Sequence, residues 1–530
     1  MRVLLLALSV LFVLAGSSCK NGRSRGMVIR DTSITSQTAF NDLFLDSSTL
    51  GAFLHQHPQF QEFREQFENF YTERNYAYAW FDSSGLSEQA NNFYNLQSAY
   101  ITDYTDSSLY DAGFNQLYQS VKAPGKNLSI PDSTILRAEL SLTGQFFRYA
   151  AKVYAGTDMD AAELGWFIPR KKIDLQALLD STIRTGQEQT AFISPQYRKL
   201  EAFLSAYAQL EKQIGSDTIA SVAKPLRKGD SAAVIPAIRK RLFLLGDLKE
   251  DNNIPLLDTT LVLAVKQFQQ RMGLLVDGVI GNRMINELNV PVRQRIQQIL
   301  VNLERLRWMP PDQGQRYILV NIPSYNLQLV DSGKQQFRMN VIVGSAANNT
   351  VIFTGKLQYI VFSPYWNVPE SIVRNEILPA MKKDPNYLAK QNMEIVTDGT
   401  IPVIRQKSGP RNSLGHVKFL FPNSYNIYLH DTPNRNLFAQ STRNLSHGCI
   451  RLGEPKKLAS YLLQYDSSWT SRAIDSAMYA GKEKWVTLKH TIPVYIVYFT
   501  SWVDADGLIN FRRDIYKHDE KLAAKLFRKS

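Results

Sequence analysis

At Tyr317 the hydrophobic pattern changes period, and that change constrains the fold of the chain more than any other feature in it. Before Tyr317, apolar residues recur every three or four positions, the spacing of one helix face. After it they alternate, the spacing of a strand with one buried side. One layer cannot satisfy both periods, so the 530 residues are expected to form a multidomain α+β protein. At roughly 150 residues per domain the length allows about three domains. A hydrophobic content of 44% with 11% aromatics supplies real cores and excludes wholesale disorder.

Within the helical part, residues 36–215 read as one scaffold whose Phe60, Phe63, Phe67 and Phe70 form a core stripe. Residues 216–290 read as a compact three-helix module. Asp230 is expected to cap a helix carrying Ile235, Ile238, Leu242 and Leu245, closed by Gly246. Asp258 caps a second, with Leu261, Val265, Phe268 and Met272 inside and Gly273 after it. Asp277-Gly278 marks a turn before a short third helix at Gly281–Leu288. Residues 291–316 read as a linker helix with Ile296, Leu300, Leu303 and Leu306 on one face. The β-rich domain is expected over 317–505, with a hairpin at Asp331-Ser332-Gly333 and a helical insertion over 368–415. Asp384-Pro385 would start a helix inside that insertion. Residues 506–530 read as a C-terminal tail.

The N-terminus has the layout of an export signal, with Arg2, an apolar run Val3–Leu14, then Gly16, Ser17 and Ser18. That run is shorter than the ~20 residues that span a bilayer. Small residues ending in Cys19 resemble a bacterial lipobox. This predicts a signal peptide over 1–18, lipid attachment at Cys19 and a polar tether over 19–35. The alternative is an ordinary signal cleaved near Ser18. An acylated chain would sit on a membrane without crossing it. The absence of acidic residues after Cys19 then predicts a periplasm-facing, outer-membrane lipoprotein. The net charge of +13 is spread thinly and follows no nucleic-acid-binding pattern. An exported basic surface suits an anionic envelope polymer better than nucleic acid.

Two cysteines exclude a disulfide-rich scaffold and any cysteine-cluster metal site. With Cys19 acylated, Cys449 has no disulfide partner. A buried inert thiol fits poorly with the polar residues around it, Ser446, His447 and Gly448 before and Arg451 after. Beside histidine and arginine the thiol is expected to have a lowered pKa and to serve as a nucleophile. His416, His430 and His447 fall just upstream, and His430 closes a strand. Zinc held by His416, His430, His447 and Cys449 is the competing reading, although the spacings match no common zinc pattern.

Tyr428-Leu429-His430-Asp431, followed by Ser446-His447-Gly448-Cys449-Ile450-Arg451-Leu452, resembles the catalytic motif of the YkuD-type L,D-transpeptidases. Gly229-Asp230, Ala264–Gln269, Gly273-Leu274, Asp277-Gly278 and Ile280-Gly281 resemble a peptidoglycan-binding domain. Arg307-Trp308, Val320–Pro323, Pro364–Pro369, Glu376–Pro379, Asn392–Glu394 and Phe421-Pro422 extend the likeness to the large YcbB-like branch. That branch has a helical scaffold, a peptidoglycan-binding domain and a capped β-rich catalytic domain. Ser408 stands where that branch has proline.

The resemblance implies Cys449 as nucleophile and His430 as its base, oriented by a backbone carbonyl. It also implies an oxyanion hole from the Gly448 and Cys449 N–H groups, with Ser446, His447 and Arg451 shaping the site. Tyr428 and Trp366 are candidate substrate-binding residues. The implied reaction is acyl transfer from a tetrapeptide stem of peptidoglycan to an amine acceptor, without metal or cofactor and open to carbapenem acylation. Hydrolysis of the same bond by an L,D-carboxypeptidase, and a non-catalytic wall-binding tether, are the alternatives.

Overall fold

The computed structural model describes residues 43–527 except 83–84, 105–106, 123–132, 157–161, 170–172, 186–192 and 311–312. The expected signal peptide, Cys19 and the tether lie outside the described residues. The chain divides into two compact units, one of residues up to 90 with 112–144, the other of residues 91–111 with 145–530.

In the first unit all four phenylalanines of the stripe are buried. They sit on a 3-10 turn, Pro58–Phe63, that runs into an α-helix, Arg64–Glu73. The fully buried Glu139 carboxylate accepts from the Ala79 and Trp80 N–H groups at 2.7 and 3.0 Å and from the Tyr71 hydroxyl at 2.9 Å. Burial pushes that carboxyl up to about 7.

The second unit carries the three-helix module, Ile235–Leu244, Thr259–Arg271 and Asn282–Leu288. Asp258 caps its helix, accepting from Leu261 N–H at 2.8 Å. Asp230 caps nothing: its carboxylate accepts from Arg227 N–H at 2.7 Å, and the helix starts only after Val234. Pro236 suits the first turn, where its missing N–H is not needed, and this sets the later start.

The expected linker helix forms as Val292–Trp308, with Asn302, Glu304, Arg305 and Arg307 all buried. Each of these polar residues is paired. Arg307 donates to the Tyr197 hydroxyl at 2.7 Å and to Glu304, Arg305 bonds Asp519 at 2.5 Å, and Asn302 reaches the Thr500 hydroxyl at 2.7 Å. Of the expected apolar face, Leu303 and Leu306 are buried and Ile296 and Leu300 half-buried, while Ile299 is buried as well.

Eight strands of a ten-stranded sheet frame the β-rich domain. They are β1 Tyr317–Asn321, β2 Asn326–Asp331, β3 Lys334–Gly344, β4 Ile352–Phe362, β5 Val417–Leu420, β6 Leu429–His430, β7 Ile450–Leu452 and β8 Lys484–Val497. Their order is β5-β6-β7-β3-β2-β1-β8-β4, and β4 pairs back with β5, so the pairings close into a ring. Strand alternation packs Phe419, Leu429, Ile450, Leu452, Ile360 and Val341 inside, all without exposure. The β2–β3 connection is the expected hairpin, with Ser332 and Gly333 both at positive φ.

Between β4 and β5 lies the expected insertion, but it is mixed rather than helical. A helical stretch of Glu370–Ile372, a π turn Val373–Ile377 and Leu378–Lys383, with the short helix Tyr387–Lys390, accompanies a three-stranded sheet of Trp366–Asn367, Val403–Gln406 and Met393–Thr397. Its own small core is Val368, Val373, Ile377 and Ile404. Asp384 ends the helix Leu378–Lys383 and, as expected, opens the next, its carboxylate accepting from Asn386 N–H at 3.0 Å just before Tyr387–Lys390.

The expected C-terminal tail is also structured. Ile509–Phe511 pairs with Ser501–Val503, and His518–Leu526 is a helix. Its Tyr516 hydroxyl donates to Gly344 O at 2.5 Å.

Candidate active site

Cys449 sits at the mouth of β7, in a turn between the short strand Asn444–Ser446 and Ile450. Gly448 gives that turn a φ of +112°, a conformation that favours glycine. A Cβ there would find open space, its nearest neighbour being Asn349 O at 3.8 Å. The glycine therefore serves a backbone angle, not a close approach. Ser446 Oγ donates to Cys449 O at 2.6 Å and accepts from Gly448 N–H at 3.3 Å, closing the turn from within. From outside, Thr350 Oγ1 donates to Gly448 O at 2.7 Å and accepts from Gly344 N–H at 2.8 Å.

The Cys449 thiol is half-buried and donates to Asn426 O at 3.6 Å. Asn426 has a φ of +55°, in a turn that the Asn423 side chain braces through Phe421 O, Tyr425 N–H and Ile427 O. The Tyr428 hydroxyl lies beside the thiol and the Trp366 indole. The Cys449 N–H has no hydrogen-bond partner among the described residues, whereas the Gly448 N–H is taken by Ser446. Of the two expected oxyanion donors, only one is unoccupied.

His430 is buried at the end of β6, and its Nδ1 lies 2.5 Å from Asp431 O. A carbonyl only accepts, so Nδ1 carries the proton and Nε2 keeps a lone pair. The Asp431 side chain works elsewhere. It accepts from His416 N–H at 2.9 Å and from Thr432 N–H at 2.6 Å, and it pairs with Arg435. Burial, reinforced by Arg451, pushes His430 down to about 3.

Burial also pushes the Cys449 thiol up, against the smaller opposing pulls of Tyr428 and Arg451. This corrects the expected lowered thiol pKa, because desolvation outweighs one nearby cation. The resting pair is therefore a neutral thiol and a neutral imidazole. Alkylation of the Cys449 peptide by iodoacetamide should accelerate with pH through pH 9 without a plateau. An inflection below pH 7 would instead reveal a preformed thiolate.

Arg451 neighbours both reacting groups. No carboxylate pairs with it among the described residues, and its Nε has no partner. His447 pairs with Glu376 of the insertion, Nε2 to Oε1 at 3.0 Å. His416 is further off, with Nδ1 3.1 Å from Met478 O and its ring on Tyr479. The zinc reading needed the three histidines to converge on Cys449, and they do not.

Strand register arranges the rest. His430 pairs with Arg451 on one side and Lys418 on the other; Lys418 pairs with Val361, and Val361 with Trp485. Directly opposed residues share a face, so these five form one row across the outer side of the ring. The adjacent row runs from Cys449 and Tyr428 through Leu420 to Tyr359 and Thr487.

Thr350, Tyr516, Asn426 and Gly344 escaped the sequence reading. Each acts through one hydrogen bond or one close backbone approach to a segment far away in the chain. The sequence contains no local signal of such contacts.

Comparison with known proteins agrees with this architecture. Residues 315–494 match the model of the L,D-transpeptidase catalytic domain (YkuD), residues 65–213 that of the Scaffold domain, and residues 237–288 that described as "Putative peptidoglycan binding domain". A Haemophilus influenzae protein named "Putative L,D-transpeptidase" is 35% identical over 243 residues, covering 43% of this chain and 49% of that protein. The chain thus spans about half the length of the curated relative it matches. Among solved structures, an L,D-transpeptidase from Stackebrandtia nassauensis matches at 14% identity and a TM-score of 0.23, covering 52% of this chain and 97% of that one. An L,D-transpeptidase fragment from Xylanimonas cellulosilytica matches at 13% identity and a TM-score of 0.19, covering 52% and 100%. Scores that low carry no weight beside the domain matches. The β-rich domain of this chain thus carries the match to the L,D-transpeptidase catalytic domain (YkuD), and the helical part before it carries the matches to the scaffold and peptidoglycan-binding domains.

Proposed function

We propose that this protein cross-links peptidoglycan by acyl transfer through Cys449. The observation that carries the reading is the neutral pair, a protonated thiol and a buried imidazole with a free Nε2, beside an arginine without a carboxylate partner. In the first step the thiol leaves Asn426 O and gives its proton to His430 Nε2, while sulfur attacks the carbonyl of the third stem residue. The Cys449 N–H, with the Tyr428 hydroxyl beside it, receives the developing oxyanion. His430 returns the proton to the departing D-alanine amine, leaving a thioester. An acceptor amine then attacks, His430 takes its proton and returns it to sulfur, and an amide forms. Arg451 meets a stem carboxylate, for which its planar fork is suited. Gly448, Ser446 and His447 shape the turn; Trp366 contacts the donor from the insertion.

Peptidoglycan is the proposed partner, held also by the three-helix module. Export, lipid attachment at Cys19 and a location at the periplasmic side of an outer membrane are proposed from the N-terminal pattern alone. Incubating the protein with a disaccharide tetrapeptide tests the reaction. Intact mass should rise by the donor less D-alanine, on Cys449, and cross-linked dimers should accumulate. Shortened stems without dimers would mean an L,D-carboxypeptidase. Wall binding without any adduct would leave only a tether.

A further inference from the structure

Trp485 is 55% exposed, although it stands on the catalytic sheet, in the same row as His430. Its indole N–H donates to Glu483 at 3.0 Å, which fixes the ring plane. Tyr359 meets it edge-on, with ring centroids 6.0 Å apart. The Lys418 ammonium lies 5.5 Å from its ring centroid and 3.6 Å from Glu483. Glu483 also accepts from Tyr365 N–H at 3.0 Å, at the start of the insertion. An exposed, oriented indole flanked by an ammonium and a carboxylate is a platform for a polyhydroxylated ring. The aromatic face takes the apolar C–H side of a sugar, and the charged groups take its hydroxyls.

The spacing to the thiol says which sugar. Tyr359 stands three strand spacings from Cys449 along its row, about 14 Å, and Trp485 lies one strand and one row further on. The surface between them continues through Tyr428, half-buried Leu420 and Lys418. A peptidoglycan stem hangs from its sugar, and its third residue carries the carbonyl proposed to react. Three extended residues span about 10–11 Å, and the ether link to the sugar adds a few more. A donor whose third residue sits at Cys449 therefore brings its own sugar to Tyr359, and the second sugar of the disaccharide to Trp485 beside it.

We propose that Trp485, with Tyr359, Lys418 and Glu483, forms a saccharide subsite that holds the glycan end of the donor. The inference rests on the transpeptidase reading for the identity of the donor, but its test does not need turnover. The subsite makes the enzyme favour glycan-attached stems over free peptides, and it fixes the direction in which the stem crosses the sheet.

Binding is read first in the full-length Cys449→Ala protein. The indole N–H resonance of Trp485, assigned by its absence in Trp485→Phe, should shift saturably with disaccharide tetrapeptide and not with free tetrapeptide. An unmoved resonance, or equal shifts with both ligands, overturns the subsite whether or not the wild-type protein forms an acyl-enzyme. Selectivity is read second in the protein with Cys449 intact. Trp485→Ala should lower the ratio of acylation rates, disaccharide donor over free tetrapeptide, by roughly tenfold, and Trp485→Phe by less. An unchanged ratio overturns the proposal. Absence of any acyl-enzyme with either donor counts against the proposed reaction and leaves the binding measurement to decide the subsite.

Discussion

Replacing His430 by glutamine should lower kcat/KM by about 10²–10⁴-fold at pH 7, the usual worth of a positioned general base. Cys449→Ala should remove measurable transfer altogether, because no other thiol stands among the described residues. Glutamine keeps an N–H that can reach Asp431 O, so the β6 end should hold its shape while the proton acceptor at Nε2 is lost. The pH profile separates a base from a mere packing residue. In the wild-type protein burial, with Arg451, pushes His430 down to about 3, and burial pushes Cys449 above its ordinary value. Both groups thus stay neutral, and kcat/KM should be flat from pH 5 to 8. In His430→Gln only the small ionised fraction of the thiol reacts, and that fraction grows tenfold per pH unit below its pKa. The variant should therefore gain on the wild type as pH rises. A wild-type acid limb near pH 6.5 would contradict this, since it would mean an imidazolium in the resting site.

The same numbers have a stability consequence. His430 and His518 are buried with pKa values pushed down, to about 3 and about 4. Their unfolded forms take up protons near 6.5, and their folded forms do not. The stability they confer is complete above pH 6.5 and is lost progressively as pH falls toward 4 and then 3.

The parts of this site that could be read in the sequence are those whose chemistry is local. A cysteine after Ser446-His447-Gly448 and a histidine at a strand end announce themselves by residue type. Asp258 does too, because a cap is satisfied three residues away. What could not be read depends on what lies across a packing contact. The direction of the Cys449 pKa was misjudged because the sequence shows the cations beside it and not its desolvation. His447 and His416 were grouped with His430 by proximity in the chain, but their partners are Glu376 and Met478, brought in from elsewhere. The residues after 506 looked like a tail because one short strand and one charged helix have weak periodicity. Their role lies in Tyr516, whose hydroxyl binds a segment 172 residues earlier.

Gly344→Ala should damage the enzyme more than its place outside the motif suggests. A Cβ at Gly344 would lie 2.0 Å from Asn348 O and 2.7 Å from Thr350 N, both backbone atoms. No rotamer relieves such a clash, so residues 345–350 must shift. Thr350 then carries the shift to the nucleophile, because its hydroxyl bridges Gly344 N–H and Gly448 O. Tyr516 adds to the coupling, since it holds Gly344 O and the Thr350 N–H together. Overpacking of this kind costs about 1–3 kcal/mol or more, and a displacement near 1 Å at the nucleophile costs about 10²-fold in rate. Gly448→Ala differs in kind. Its methyl would have space, and its cost is the strain of φ +112°, about 1–3 kcal/mol. Thermal unfolding and acyl-enzyme formation on the two variants discriminate the mechanisms. Gly344→Ala should lose both stability and rate, and Thr350→Val should lose rate with only about 1 kcal/mol of stability, the usual worth of a hydrogen bond. If Gly344→Ala acylates at the wild-type rate, the loop at 345–350 does not position the cysteine, and the turn is held by Ser446 alone.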